Sequence, residues 1–413
     1  MAFKPPANQP FLEQNLKRTL HNLLAVGHIF AVVPWDLEPF EPVPVPALRW
    51  LRTFIRAANL VYSIVIIVAI CTATLFNHTG TIASDFFAIR TLYLAEYIIA
   101  NITVLLIMGG CRFLRTFYIT FGNEIVSIGH SLYICQVSID FRLVQSIINR
   151  LVVSSLLYFS SLVLLDVLFN VDTSCKFICR TLVYTLPNAI HVFALHQYVA
   201  MQLLVCYYFR SINKALMRCD DRSSKKMFDC TTFLETLRKA HLRLSNLIVE
   251  LNENFGVLIV CTVLSSFVVL NLQLFNLYKV TAITRKRFWS SNDSFQLAKT
   301  LMWIGLHAAK VLLILYPIHL GRRERDRTGP VLYQFAIHYD TNDSTEHAVR
   351  IREGYSQCVV ALQCHNHLPL QLMKFVGQLL HGTGPYKACG VITLDLTLIS
   401  KVWEEFLEVL TTV

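Results

Sequence analysis

The sequence predicts an all-α membrane protein with seven transmembrane helices, a cytoplasmic N-terminus, an extracellular C-terminus and long cytoplasmic helix extensions. Three observations carry this. The 413 residues are 54% hydrophobic and 15% charged, with a mean hydropathy of +0.49, more apolar than an ordinary soluble fold. Seven apolar stretches lie at 57–76, 89–111, 151–171, 181–209, 254–278, 296–320 and 390–413. Each is near the roughly 20 residues that carry a helix across a hydrocarbon core about 30 Å thick. Lys and Arg are also sorted onto alternate sides of these stretches. Six precede the first, and four, nine and eight follow the second, fourth and sixth, against about eight on the opposite side. The richer side faces the cytoplasm.

The elements follow in order. Residues 1–56 form a cytoplasmic segment, polar and Pro-containing at its start. Its apolar stretch Leu23 to Val33 has no small-residue cleavage site after it, so no signal peptide is expected. Helices one to six and their extensions occupy 57–320, and the first is the cleanest (VYSIVIIVAICTATLF). Outer loops are short, while the inner segments 210–253 and 321–389 are long. In the first of these, Leu234, Leu237, His241, Leu244 and Ile248 recur at helical steps. That helix is expected to run into the fifth span without a breaker. Four such projections would pack together as an intracellular assembly region. Residues 321–357 are polar and charge-mixed, which predicts a flexible cytoplasmic loop within the loop and assembly region 321–389. Its run RRERDR reads as a solvated stop at the lipid headgroups. The last helix, 390–413, is the weakest, because Lys401, Glu404, Glu405 and Glu408 interrupt it.

The net charge of +10 is mostly this cytoplasmic bias, and no nucleic-acid partner is expected. Asn77-His-Thr79 and Asn292-Asp-Ser294 are glycosylation sequons in outer loops; Asn342-Asp-Ser344 falls inside. The twelve cysteines have no framework pattern, though Cys175 and Cys179 share a short outer loop in which a bridge can form. Cys358, Cys364, His365 and His367 lack the paired short spacing of a zinc site. No metal or cofactor is expected.

Polar groups inside spans must face protein or water, so they are candidate functional residues. In the outer halves these are Tyr93, Glu96 and Tyr97; Asp166 and Asn170; Tyr184, Asn188 and His191; Asn271 and Gln273; and Trp303. Aromatic walls with a few hydrogen-bonding groups suit a small organic ligand, while the plainer role for each is interhelical glue or interfacial anchoring. Glu96 and Asp166 sit at matching depths, about 7.5–10 Å below the outer surface at 1.5 Å per residue. Lys310 lies deeper and is expected to snorkel toward the cytoplasm, away from both acids. Pro187 should free a backbone carbonyl and shape the cavity.

Leu372 to Ile399, LMKFVGQLLHGTGPYKACGVITLDLTLI, resembles the signature of insect gustatory receptors. The matching pieces are Gln378-Leu379-Leu380-His381, Tyr386-Lys387-Ala388-Cys389-Gly390 and Thr393-Leu394-Asp395. Leu23 to Trp35 and His241 to Val260 are also similar to the family. The resemblance implies a ligand-gated cation channel in the plasma membrane, a homo- or hetero-tetramer with a small-molecule tastant as ligand. It places the seventh helices around a central pore and a ligand pocket among spans two to six of each subunit. One departure stands out. Where the family has Thr-Tyr, an apolar run and Gln-Phe, this chain reads SKVWEEFLEVLTTV. Only Thr411 and Thr412 match the start of that motif. Glu404 and Glu408 share a helix face and would make acidic rings in a tetramer. The other reading is an altered or truncated terminus that conducts poorly or not at all.

Other classes fit less well. A G-protein-coupled receptor, the alternative for seven helices, has the opposite topology. It would need an acidic-Arg-aromatic triplet after span three, where the chain reads FNVDTSCK, and an Asn-Pro-x-x-Tyr in span seven. A repeat-built transporter would show internal symmetry. An enzyme would need a His-Glu-x-x-His, Gly-x-Ser-x-Gly or phosphate-loop pattern, and none occurs.

Overall fold

A helix that is apolar on every side must be covered on every side, and Leu186–Arg218 is such a helix, with buried residues along its whole length. The computed structural model describes residues 9–33, 49–81, 87–169, 178–179, 181–218, 230–284, 291–341, 367–381, 387–388 and 392–394. In chain order the helices are α1 (Gln9–Ile29), α2 (Arg49–Thr81), α3 (Phe87–Ile134), α4 (Phe141–Phe169), α5 (Leu186–Arg218), α6 (Cys230–Asn254), α7 (Gly256–Thr284), α8 (Ser291–Thr341) and α9 (His367–His381). A π-helical turn, Thr181–Thr185, leads into α5. Six helices among the described residues are long and apolar enough to cross a membrane, and each overlaps one of the first six predicted spans. The seventh, 390–413, lies almost wholly outside the described residues. Its described residues, 392–394, are not helical: Ile392–Thr393 pairs antiparallel with Lys387–Ala388, in register Lys387↔Thr393 and Ala388↔Ile392.

Around α5 pack α8 along most of its length, then α3, α6, α4 and α1. By contrast α2 turns Val61, Val65 and Val68 outward, each more than half exposed, as suits a lipid-facing surface. The core is aromatic at α5: Phe193, Tyr198, Tyr208 and Phe209 are all under 2% exposed. Phe193 stacks on Phe30 with centroids 4.6 Å apart, fastening the end of α1 to α5.

Polar rungs join α5 to its neighbours. Gln197 donates to the Val32 carbonyl at 3.3 Å and accepts from Tyr118 of α3. Tyr198 and Gln202 both donate to Asn252 Oδ1, at 2.8 and 3.0 Å. Asn213 donates to the Glu324 carbonyl at 2.7 Å and accepts from Thr328 at 2.8 Å. Buried polar groups paired in this way offset their desolvation. Two helices end alike. Ala31 (φ 55°) and Gln136 (φ 58°) adopt the left-handed conformation, and Val32 and Val137 donate back to Gly27 and Leu132. This is a Schellman closure without its usual glycine. A Cβ on Gly27 would come within 2.6 Å of Val33 Cγ2, so this close return of the chain requires glycine there.

Three expectations change. The helix entering the fifth span bends at Phe255, between α6 and α7, although Phe255→Leu251 and Ile259→Phe255 hydrogen bonds carry the ladder across. The predicted flexible loop is helical through Thr341, because α8 continues past the membrane stretch with Pro317 and Pro330 inside it. RRERDR is accordingly not a wholly solvated stop: Arg325 is buried and Glu324 meets Asn213. Packing on α5 overrides a weak local helix preference. Pro187 is the second residue of α5, directly after the π-helical turn Thr181–Thr185.

Candidate functional site

Three of the helices that cover or adjoin α5 send polar side chains to meet those of its first turns. Asn188 donates to the Tyr184 carbonyl at 2.8 Å, which aims its oxygen outward to accept from Lys310 Nζ of α8 at 2.5 Å. One turn along, His191 Nε2 lies 2.6 Å from Thr262 Oγ1 of α7. Thr262 donates in turn to its own helix at the Leu258 carbonyl, 2.6 Å away, which leaves its lone pairs to accept an imidazole N–H. Glu96 of α3 interacts electrostatically with Lys310, and Lys310 with His191 and His307.

All of these groups are out of water. Lys310 is 0% exposed and His307 is 1%; Glu96, His191, Thr262 and Trp303 are buried as well. Tyr184 meets Trp303 edge-on at 6.3 Å, and the Trp303 and His307 rings lie 6.2 Å apart at 29°. A second charged pair flanks the first: Asp166 of α4 and Lys299 of α8 at 2.6 Å. Lys299, Trp303, His307 and Lys310 follow steps of four, four and three along α8, so they share one face. Burying unlike charges together is tolerable only when each has a partner. Here Asp166 and Lys299 form an ion pair, and Lys310 is held by the Asn188 oxygen.

The residues singled out from sequence divide accordingly. Glu96, Asn188, His191 and Trp303 come together, with Tyr184. Asp166 pairs with Lys299, so the two acids are not each other's counterpart. The expectation for Lys310 is overturned. It does not snorkel toward the cytoplasm: it is fully buried, and the Asn188 amide oxygen accepts from it inside the bundle. Asn271 donates to its own helix at Phe267, 2.9 Å away, and Gln273 is half-buried further along α7; no hydrogen bond of the cluster reaches either. Tyr93 and Tyr97 are on α3, with side chains outside the described residues, as is Asn170. Glu404, Glu408, Thr411 and Thr412 lie outside them too, and so do Cys175, Cys358, Cys364 and His365. His307, Thr262 and Lys299 were not anticipated. The helical spacing from Lys299 to Lys310 within an apolar span was the signal that would have found the two on α8.

The sequence matches the family described as 7tm chemosensory receptor over residues 20–351. Among curated proteins, none matches it. The fold is similar to that of the insect olfactory receptor OR5 from Machilis hrabei, at a TM-score of 0.60 and 10% identity, over 97% of this chain and 98% of that one. The same receptor in complex with eugenol is similar at a TM-score of 0.51 and 10% identity, over 94% and 96%.

Proposed function

This chain belongs to the 7tm chemosensory receptor family, and on that premise we propose that it is a gustatory-type subunit of a ligand-gated cation channel. It works as a homo- or hetero-tetramer in the plasma membrane, with its N-terminus in the cytoplasm and its C-terminus outside. Its ligand is a small tastant molecule. The observation that carries this reading is the band of buried charged, polar and aromatic side chains around Asn188 and Lys310. Such groups inside a membrane span are expensive and therefore functional candidates. The band lines the ligand pocket: Glu96, Asn188, His191 and Trp303 at its centre, Asp166 beside it, and Tyr93, Tyr97 and Gln273 as further lining positions. The similar olfactory receptor is in complex with eugenol, a small organic molecule, and aromatic walls with a few hydrogen-bonding groups suit a small organic ligand here. Binding opens the channel only by favouring the open state over the closed one.

The pore is formed by the stretch around Glu404 and Glu408, whose acidic rings attract cations, with Thr411 and Thr412 beyond them. A second reading rests on the same residues. Three acidic side chains stand where the family signature is apolar, and the subunit is then non-conducting alone. Whole-cell current in a non-neuronal cell expressing only this chain tests both, with surface delivery checked by an extracellular C-terminal tag. Ligand-evoked cation current at once, without G-protein signalling, is the expected result. A surface-positive, silent chain that gains current only with an added partner subunit selects the second reading. A response that depends on G proteins overturns both.

A further inference from the structure

His307 stands out within the band because nothing answers it. Both of its ring nitrogens are buried and have no hydrogen-bond partner, although the residue is 1% exposed. On α7, one turn beyond Thr262, Ser266 is also 1% exposed and its Oγ lacks a partner too. Buried polar atoms left open in this way are uncommon in folded proteins. The neighbouring groups already satisfy one another: Asn188 with Lys310, His191 with Thr262, Asp166 with Lys299.

The charges bear on what fits. Asp166 already pairs with Lys299, and Lys310 with the Asn188 oxygen, so neither is open to an anionic or cationic guest, whose desolvation at His307 would not be offset. A neutral imidazole carries one N–H donor and one acceptor nitrogen. A carboxylate only accepts, and an ammonium only donates. A hydroxyl does both, and so serves His307 in either tautomer. Trp303 and Tyr184 supply an apolar wall beside it.

We propose that the site takes an uncharged, hydroxyl-bearing small molecule, an alcohol or a phenol, and that His307 holds its hydroxyl group. The inference rests on the band being the ligand site. A fixed water is the rival occupant; it would satisfy His307 and leave no preference among ligands.

The test is thermal stabilisation of the purified full-length chain in lipid nanodiscs by matched aromatic probes: benzyl alcohol, 4-methylphenol, benzyl methyl ether, benzoate and benzylamine. At least one hydroxyl probe is expected to bind about tenfold or more tightly than the ether, acid and amine, as a site built to hydrogen-bond a hydroxyl discriminates against analogues that lack one. The alcohol and the phenol separate the two sources of the group. His307→Phe should abolish the preference while leaving the ether's affinity, and His307→Gln, which keeps a donor and an acceptor, should preserve it. Benzoate or benzylamine binding as well as both hydroxyl probes overturns the proposal. So does a preference that survives His307→Phe, or no stabilisation by any probe. Trp303→Ala separates the two claims. If it weakens every probe while no hydroxyl preference exists, the band is the ligand site and only the ligand class is wrong. If binding ignores both Trp303→Ala and His307→Phe, the ligand sits elsewhere and both readings fall.

Discussion

Near its start, α5 meets α8 through the Asn188 amide and the buried Lys310 ammonium. About 38 Å further along, at 1.5 Å per residue, the same two helices meet through Asn213, the Glu324 carbonyl and the Thr328 hydroxyl. Packing is continuous between these points, but the means differ. The far end uses neutral amides and hydroxyls, and its buried cation, Arg325, is answered by Asp326, which is 47% exposed and reaches water. The near end encloses Glu96 and Lys310 with no such outlet. Neutral groups evidently suffice to hold α5 to α8, so charges at the near end are more than helix packing requires. That excess is why the near end, and not the far one, is read as the functional site.

The comparison breaks most visibly at Lys310. Lys310→Met should strand the buried Asn188 oxygen and remove the cation near Glu96, costing about 1–3 kcal/mol, seen as lost surface expression and a lower Tm. Glu96→Gln with Lys310→Met should recover part of the loss. A single variant as stable as the wild type would mean that Lys310 does not compensate Glu96.

His241 sharpens the view of the far end through pH. It lies on α6, outside the spans, with its ring 4.9 Å from that of Phe209 and 5.5 Å from that of Phe375. Burial, and then the nearby Arg325, push its imidazole down to about 3. The unfolded chain takes up that proton near 6.5, so between these values the unfolded state holds more protons and stability falls as pH drops from 6.5 toward 3. Between pH 6.5 and 5 the loss should be about 2 kcal/mol, measured by denaturation at both pH values, and His241→Phe should remove this share of it.

Asn213→Ala should cost about 1–2 kcal/mol, the scale of a buried hydrogen bond whose partners are stranded, and leave the ligand dose–response unchanged. A shifted dose–response would place the far end within the sensing machinery. The smallest effect is expected at the outer pair. Lys299 is 31% exposed, so Asp166→Asn leaves a cation that water can solvate and should cost no more than about 1 kcal/mol in Tm. A loss as large as that of Lys310→Met would show the two pairs to be one network.

Much of this was legible in the chain. Apolar length alone placed six spans, because the bilayer fixes how many residues a helix needs. The same rule gave Glu96, Asn188, His191 and Trp303, since polar residues inside such stretches are few. Two readings went astray for one reason. RRERDR looked like a solvated loop and Lys310 like a snorkelling cation, because composition reports a residue's preference for water and not the neighbour that replaces water. Asn213 and α5 hold the first in a helix, and Asn188 keeps the second inside.

The sequence by itself therefore determined the membrane class, the span positions and the short roll of intramembrane polar residues; these depend on hydrophobicity summed along the chain, a local property. Only the tertiary structure decided that α5 is the central helix, that Asp166 pairs with Lys299 and Lys310 with Asn188, and that the His307 ring nitrogens are left without a hydrogen-bond partner. Partnership depends on which helix faces come together, and residues more than a hundred positions apart have no local pattern to announce it.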